Sequence, residues 1–528
     1  MDGKRRDSQA AETGGGHALE PSSDCPCSEG LLRDSLGAEA LTEKASSMFP
    51  GLTSSLRARA WHAVSLLRLR RFDSSTADGR SKERYRRVAW TTLASVAARG
   101  VAVLTALVSV PLTLHYLGTE RYGLWMTISS TVAMLGFADL GMGNGLLNAI
   151  SEANGRDDRE AAREYVSSAF FMLLAVSILL GIGFGLIYSW VPWQRVFNVS
   201  ESLAVAEAAP AVLILVGCFL LNVPLGIVQR VQMGYQEGFV NSLWQGLGNL
   251  MGLGGVLTAI HFRAGLPWLV FAMAGAPMLA SALNGLVLFG FRRPWLRPKW
   301  NNTTSHAARR ILHLGMLFFV LQIAVTFAFA SDNIVAAHVL GPEAVTQYSV
   351  PKRLFSIVPM ILGMALGPLW PAYGESIARG DTAWVKTTLL RSLKIVLTLT
   401  SIPAIFLVAF GAKMVRLWVG PEITPSFLLL LGLGLWMLLH SAGSGVAMFL
   451  NGANVLWFQV VCASLMASGA FVAKIVLARH VGLPGIIWGT VLAYVVCTAV
   501  PLAIYVPRLL RNWHSRGPVD EMNILIKD

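Results

Sequence analysis

From residue 88 to residue 507 the sequence passes through about twelve stretches of roughly 20 or more largely apolar residues, with its charges gathered in the gaps. Nothing constrains the fold more. A helix of about 20 residues rises ~30 Å, the thickness of a bilayer's hydrocarbon core. Backbone N–H and C=O groups find no water there and must pair within the protein, so such stretches are read as spanning helices. They lie at 88–115, 122–150, 165–190, 208–229, 239–261, 266–291, 310–338, 344–372, 384–410, 423–450, 455–479 and 484–507. The chain is 54% hydrophobic and 14% charged, whereas soluble domains carry about 25% charged residues. The expected fold class is an all-α polytopic membrane protein.

The net charge of +13 would suit nucleic acid, but its placement argues against that partner. Arg80, Lys82, Arg84, Arg86 and Arg87 precede the first stretch. Arg156, Arg159 and Arg163, then Arg292, Arg293, Arg297, Lys299, Arg309 and Arg310, then Arg379, Lys386, Arg391 and Lys394 occupy alternate loops. The intervening loops hold few basic residues. This is the positive-inside pattern, which predicts both termini in the cytoplasm and an even number of spans.

The two halves of the array repeat. His115-Tyr-Leu-Gly-Thr-Glu120 returns as His338-Val-Leu-Gly-Pro-Glu343, 223 residues on (338 − 115). In the same register Glu152 meets Glu375, Arg156 meets Arg379, Asp158 meets Asp381 and Arg163 meets Lys386. Gly265-Leu-Pro267 recurs as Gly482-Leu-Pro484. Six spans per half enter the membrane in the same direction, so the halves are expected as parallel six-helix lobes around a central cavity. The expected organisation is a cytoplasmic tail over 1–87, a first lobe over 88–291, a basic loop over 292–309, a second lobe over 310–507 and a short tail over 508–528.

Residues 1 to about 55 are polar and aperiodic, and disorder is expected. Residues 55–72 carry a helical apolar stripe with several arginines, which fits a helix lying on the inner leaflet. Cys25 and Cys27 fall in this tail, and Cys218, Cys462 and Cys497 fall in apolar stretches, so no disulfide or metal framework follows. Trp125, Trp190, Trp193, Trp268 and Trp418 fall near stretch ends, as an interfacial belt predicts. No P-loop of the form G-x-x-x-x-G-K-[ST] is present. No cofactor is expected, and energy for transport would come from a proton or sodium gradient, from the membrane potential or from consumption of substrate on the far side.

A charge at the bilayer centre costs at least ~2.5–3.5 kcal/mol by insertion scales, so each needs a partner or a wet cavity. Arg99 lies 11 residues past Val88, about 16 Å deep and near the midplane. It reads either as a cation that faces substrate or as half of an ion pair between helices. Asp332 lies six residues before His338, and Lys352 and Arg353 follow the next loop at a similar depth. That predicts a pair with a cation to spare. Lys474 is five residues from Arg479, close enough to snorkel its ammonium to the interface. Asp139 precedes three glycines near the cytoplasmic end of the second stretch, where close packing or a helix break is expected. It reads as an interfacial acid, or as a gating or coupling acid. The candidate substrate-binding residues are therefore Arg99, Lys352, Arg353 and Lys474, and the candidate coupling or gating residues are Asp139 and Asp332.

Tyr116-Leu-Gly-Thr-Glu-Arg-Tyr-Gly-Leu-Trp125, Phe137-Ala-Asp-Leu-Gly-Met-Gly-Asn-Gly145 and Asn148-Ala-Ile-Ser-Glu152 resemble the polysaccharide-transporter family of Wzx-type lipid-linked oligosaccharide flippases, within the multidrug/oligosaccharidyl-lipid/polysaccharide exporter superfamily. The resemblance implies two six-helix lobes and the flipping of an undecaprenyl-diphosphate-linked oligosaccharide across a bacterial inner membrane. Membrane lipids and other assembly proteins, such as a polymerase, would be its partners. An ion-coupled multidrug exporter of the same superfamily is the alternative. A membrane enzyme is disfavoured, because the loops outside the apolar stretches are short.

Overall fold

Ten helices are long and apolar enough to cross a membrane, in a computed structural model that describes residues 72–73, 75–133, 137–197, 202–421 and 423–516. The disorder and surface helix expected before residue 72, with Cys25 and Cys27, lie outside these residues, as do the last twelve positions, 517–528. Among the described residues there is no strand.

In chain order the first half comprises α1 (Ala77–Gly118), α2 (119–133), α3 (Met142–Gly155), α4 (Arg159–Tyr188), α5 (Ser202–Gly234), α6 (Gly238–His261) and α7 (Leu266–Arg292). The second half comprises α8 (Ser305–Leu340), α9 (Pro342–Leu366), α10 (Leu369–Ala378), α11 (Thr382–Val419), α12 (Phe427–Gly452), α13 (Leu456–Val481) and α14 (Pro484–Arg511). In the first half α1 packs on α6, α6 on α7 and α4 on α5. In the second half α8 packs on α13, α13 on α14 and α11 on α12. This gives twelve crossings in two lobes.

The two crossings absent from the ten are physically distinct cases. The α6 helix is diluted by Asn241, Gln245 and Asn249, and its buried glycines 246, 248 and 252 let α1 and α7 approach closely. The second crossing was expected as one helix over 122–150 but is broken between α2 and α3. Leu140 and Gly141 there adopt positive φ (48° and 71°). A Cβ on Gly141 would lie 2.3 Å from the Gly315 carbonyl oxygen, so α3 sits directly on the α8 backbone. The matching crossing of the second half also breaks, between α9 and α10.

The repeated phrase now has a conformational reason. Gly118 (φ 77°, ψ 173°) and Gly341 (φ 95°, ψ 166°) are equivalent positions in the two halves. Both occupy a region that is essentially restricted to glycine, and they turn the chain from the first crossing of each half into the second.

The loops fall at two ends. The basic end carries 156–158, 235–237, 293–304, 379–381 and 453–455, and the far end carries 189–192, 262–265, 420–421 and 423–426. Asp158 caps α4 by accepting from the Glu160 and Ala161 N–H groups, and its counterpart Asp381 caps α11 by accepting from Trp384 N–H. Trp190, Trp268 and Trp418 are exposed at the far end, as a belt requires. Trp125 is not part of such a belt: it is 9% exposed and packs into the first lobe's core with Leu117, Ile128 and Leu215.

Candidate functional site

Among the described residues, every hydrogen bond between the two halves lies at the basic end, and each of the duplicated acids Glu152 and Glu375 meets an arginine of the other half. Glu375 on α10 takes Arg84 of the first half (Nε to Oε2, 2.6 Å), and Arg84 also reaches Asp381 (2.7 Å) and the face of Trp384. Glu152 on α3 takes Arg310 of the second half, which also donates to the Tyr165 hydroxyl (2.7 Å). The Tyr85 and Thr388 hydroxyls bond at 2.7 Å, and Thr388 holds the register position of Tyr165. Arg379, at the C-terminal end of α10, holds Asp157 at 2.9 and 3.0 Å and the Asn154 carbonyl at 3.1 Å. These partners, Asp157 foremost, raise the Arg379 guanidinium above its ordinary value despite partial burial.

The helices α3 and α10, equivalent by the repeat, touch directly. A Cβ on Gly155 would fall 2.5 Å from that of Ala378, and one on Gly374 would fall 3.1 Å from that of Ser151. Asn148 on α3 donates to the Asn451 carbonyl (2.9 Å) and Asn454 Oδ1 (2.7 Å), and accepts from the Trp370 indole. Arg84 is 3% exposed and Glu375 6%, so this latch is a desolvated, charge-assisted contact rather than a surface pairing.

Inside the second lobe Asp332 collects three donors. The Tyr348 hydroxyl (2.8 Å) and Lys352 Nζ (2.6 Å) bond to Oδ2, and Lys474 pairs with Oδ1. Lys474 also donates to the Ala328 carbonyl and to Ser331 Oγ. Lys474 does not snorkel outwards: it is fully buried, held by the Asp332 carboxylate on α8 and by these two acceptors. The cluster brings Asp332, Lys352 and Lys474 together with one positive charge in excess. Lys474 is positioned to hold Asp332, while Lys352 keeps part of its side chain exposed.

The structure leaves Arg99 and Arg353 apart from this cluster. Both are exposed, and neither side chain has a hydrogen-bond or ion-pair partner among the described residues. Val88 on α1 packs against the second lobe at the basic end. Arg99 follows it by 11 residues, about three turns, and so lies on the same face of α1. Arg353 is two positions from Phe355, which is buried in the second lobe's core, so Arg353 points away from that core.

Asp139 sits at the break before α3, where its Oδ1 accepts the Gly141 N–H at 2.9 Å. A Cβ on Gly143 would lie 2.8 Å from Asp139 Oδ2 and 2.9 Å from Arg230 Nε, so both side chains cover that glycine. They line a cavity of about 250 Å³ with Asn222 and Gln229. Asp139 is therefore a neighbour of the half-buried Arg230.

Residues 86–376 match the family described as Polysaccharide biosynthesis protein. The chain belongs to that family. Its similarity to a Salmonella typhi protein named for O-antigen transport is 23% identity over 76% of this chain and 91% of the other. The fold of this polysaccharide-biosynthesis protein is that of solved multidrug transporters. The structure titled MATE in the bent conformation matches with a TM-score of 0.71 at 15% identity, over 86% of this chain and 99% of that one. A multidrug resistance MATE family transporter of the MOP superfamily, described as outward-facing, matches with a TM-score of 0.66 at 17% identity, over 82% and 97%. The expected family is borne out, and the solved structures show the expected fold.

Two sets of residues in this family member escaped the sequence reading. Arg230 falls one residue beyond the stretch drawn at 208–229, so it was not weighed as an interior charge. Arg84 and Arg310 were counted only as orienting charges. The signal that could have exposed them was the repeat itself, since duplicated acids Glu152 and Glu375 require duplicated bases.

Proposed function

We propose that the protein moves an undecaprenyl-diphosphate-linked oligosaccharide from the cytoplasmic to the outer face of a bacterial inner membrane, by alternating access between its two lobes, for assembly of a surface polysaccharide. The observation that carries this reading is Arg99, an exposed cation with no hydrogen-bond or ion-pair partner among the described residues, about three turns along α1 from Val88, which packs on the second lobe. A diphosphate cannot enter ~30 Å of hydrocarbon unaided, and a guanidinium in a wet space between the lobes substitutes for its hydration. Arg353 and the exposed part of Lys352 add to this field, with the lipid tail left in the bilayer. Family membership and the relative named for O-antigen transport support the substrate class. Lobes joined at the basic end and unlatched at the far end correspond to a state open outwards, with the basic end in the cytoplasm and both termini there.

The test is transport of labelled lipid-linked oligosaccharide in proteoliposomes, with and without a proton or sodium gradient. Arg99→Ala is expected to abolish transport and surface polysaccharide at normal protein levels. Full activity in that variant would remove Arg99 from the mechanism.

The multidrug reading is favoured by the MATE fold. Against it, a cationic drug needs interior acids, and Asp332 is committed to Lys474 and Lys352 while Asp139 lies beside Arg230. Unchanged drug susceptibility in a deletion strain is the expected result.

A further inference from the structure

The outer side of the second lobe carries an apolar groove of about 650 Å³ between α11 and α14, with α12 as its floor. Leu393, Val446 and Val506 represent the three walls. At the deep end the Tyr494 hydroxyl occupies the space above Gly443, 1.7 Å from where a Cβ would be, and closes the groove. At the mouth, on the basic end, stand Lys386 and Arg511, both exposed and without a hydrogen-bond or ion-pair partner among the described residues. From Lys386 to Leu397, which lines the deep part, the groove runs 11 residues along α11, about 16 Å. That is close to half of the ~30 Å hydrocarbon core, the depth of one leaflet.

The first lobe shows what this position looks like when it is covered. Arg163, the register counterpart of Lys386, donates to the Trp295 carbonyl at 3.2 Å. The Lys299 N–H bonds Ser167 Oγ, and Leu296 is fully buried against Val166 and Ala169. The segment between the lobes thus seals the groove beside α4, whereas no described residue seals the one beside α11.

We propose that this groove binds an anionic phospholipid of the leaflet at the basic end, with one acyl chain against α12 and the phosphate between Lys386 and Arg511. Basic pockets between spanning helices recognise anionic headgroups in this way. A peptide occupant would bring unpaired N–H and C=O groups to membrane depth. A polyprenyl chain longer than one leaflet would run into Tyr494.

The full-length chain, purified in neutral detergent, is titrated with phosphatidylglycerol or phosphatidylcholine of equal acyl length, and bound lipid is counted by native mass spectrometry. Wild type is expected to bind phosphatidylglycerol about tenfold more tightly or better. K386Q/R511Q, changed only at exposed positions, is expected to bind both lipids alike while unfolding at the wild-type temperature. Leu393→Trp, or Ala503→Trp should the first not fold, fills the groove and is expected to lose both lipids. Equal binding of the two lipids by wild type, or a preference that survives in K386Q/R511Q, overturns the proposal. Displacement of phosphatidylglycerol by undecaprenyl phosphate one for one would reassign the groove to a transported lipid. A gain in lipid occupancy on deleting 517–528 would reassign it to the tail. Either result overturns the proposal as well.

Discussion

The basic-end latch and the charged interior of the second lobe are both built from buried arginine or lysine with carboxylate, yet they relate to the repeat in opposite ways. The acid of the latch is written twice: Glu375 takes Arg84 and its counterpart Glu152 takes Arg310, an arginine one turn along from the position equivalent to Arg84. The Asp332 cluster is written once, since Ser109 stands at the equivalent place in the first half and Gln322 stands opposite Arg99. Duplication preserves what the two halves must do to each other. Divergence marks what each half does alone. A contact shared by both copies belongs to the joint between them, and a charge present in one copy needs a local reason.

The sharpest way to break this comparison is to remove the unduplicated acid. Asp332→Ala strands the buried Lys474 and is expected to destabilise the protein by ~3–5 kcal/mol. Adding Lys474→Met is expected to recover most of that loss, read as thermal unfolding in detergent. If the single variant is as stable as wild type, the cluster is not the anchor described.

Loosening the latch is expected to cost less. Glu375→Gln and Glu152→Gln each weaken charge-assisted hydrogen bonds worth about 1.5–3 kcal/mol. Each is expected to speed maleimide labelling of a Thr91→Cys reporter, which lies buried beside Pro368 and Pro371 of the other half. Equal acceleration would confirm two equivalent contacts. A much larger effect from Glu375, which holds Arg379 as Glu152 holds Arg156 but whose Arg379 also pairs with Asp157 of the other half, would show the latch to be lopsided. Gly118→Ala and Gly341→Ala form the smallest pair, at about 1–3 kcal/mol each. Similar falls in unfolding temperature are expected, because both glycines hold the same backbone conformation.

The spans were legible because apolar length is a local property, and the repeat was legible because identical turns need identical glycines. Helix rise placed Asp332 and Lys352 at one depth, and they do meet. Depth alone cannot say which way a side chain faces around its helix, and that is where Lys474 escaped: the interface and the Asp332 carboxylate were both within its reach. The broken second crossing was visible only as Gly141, Gly143 and Gly145, which serve close packing as readily as a break, and here serve both. Trp125 sat near a stretch end by count, but the kink at Gly118 turns α2 so that the indole faces the lobe's interior.

The excess positive charge on Asp332, Lys352 and Lys474 has an electrical consequence. It is fixed to the second lobe part-way through the crossing, inside the field of an energised membrane. A unit charge carried the whole way across does ~2.3 kcal/mol of work per 100 mV. Any rocking that shifts the cluster along the membrane normal by a fifth of that path would therefore bias the two states by about 0.5 kcal/mol per 100 mV, so that voltage itself acts as a ligand of the second lobe.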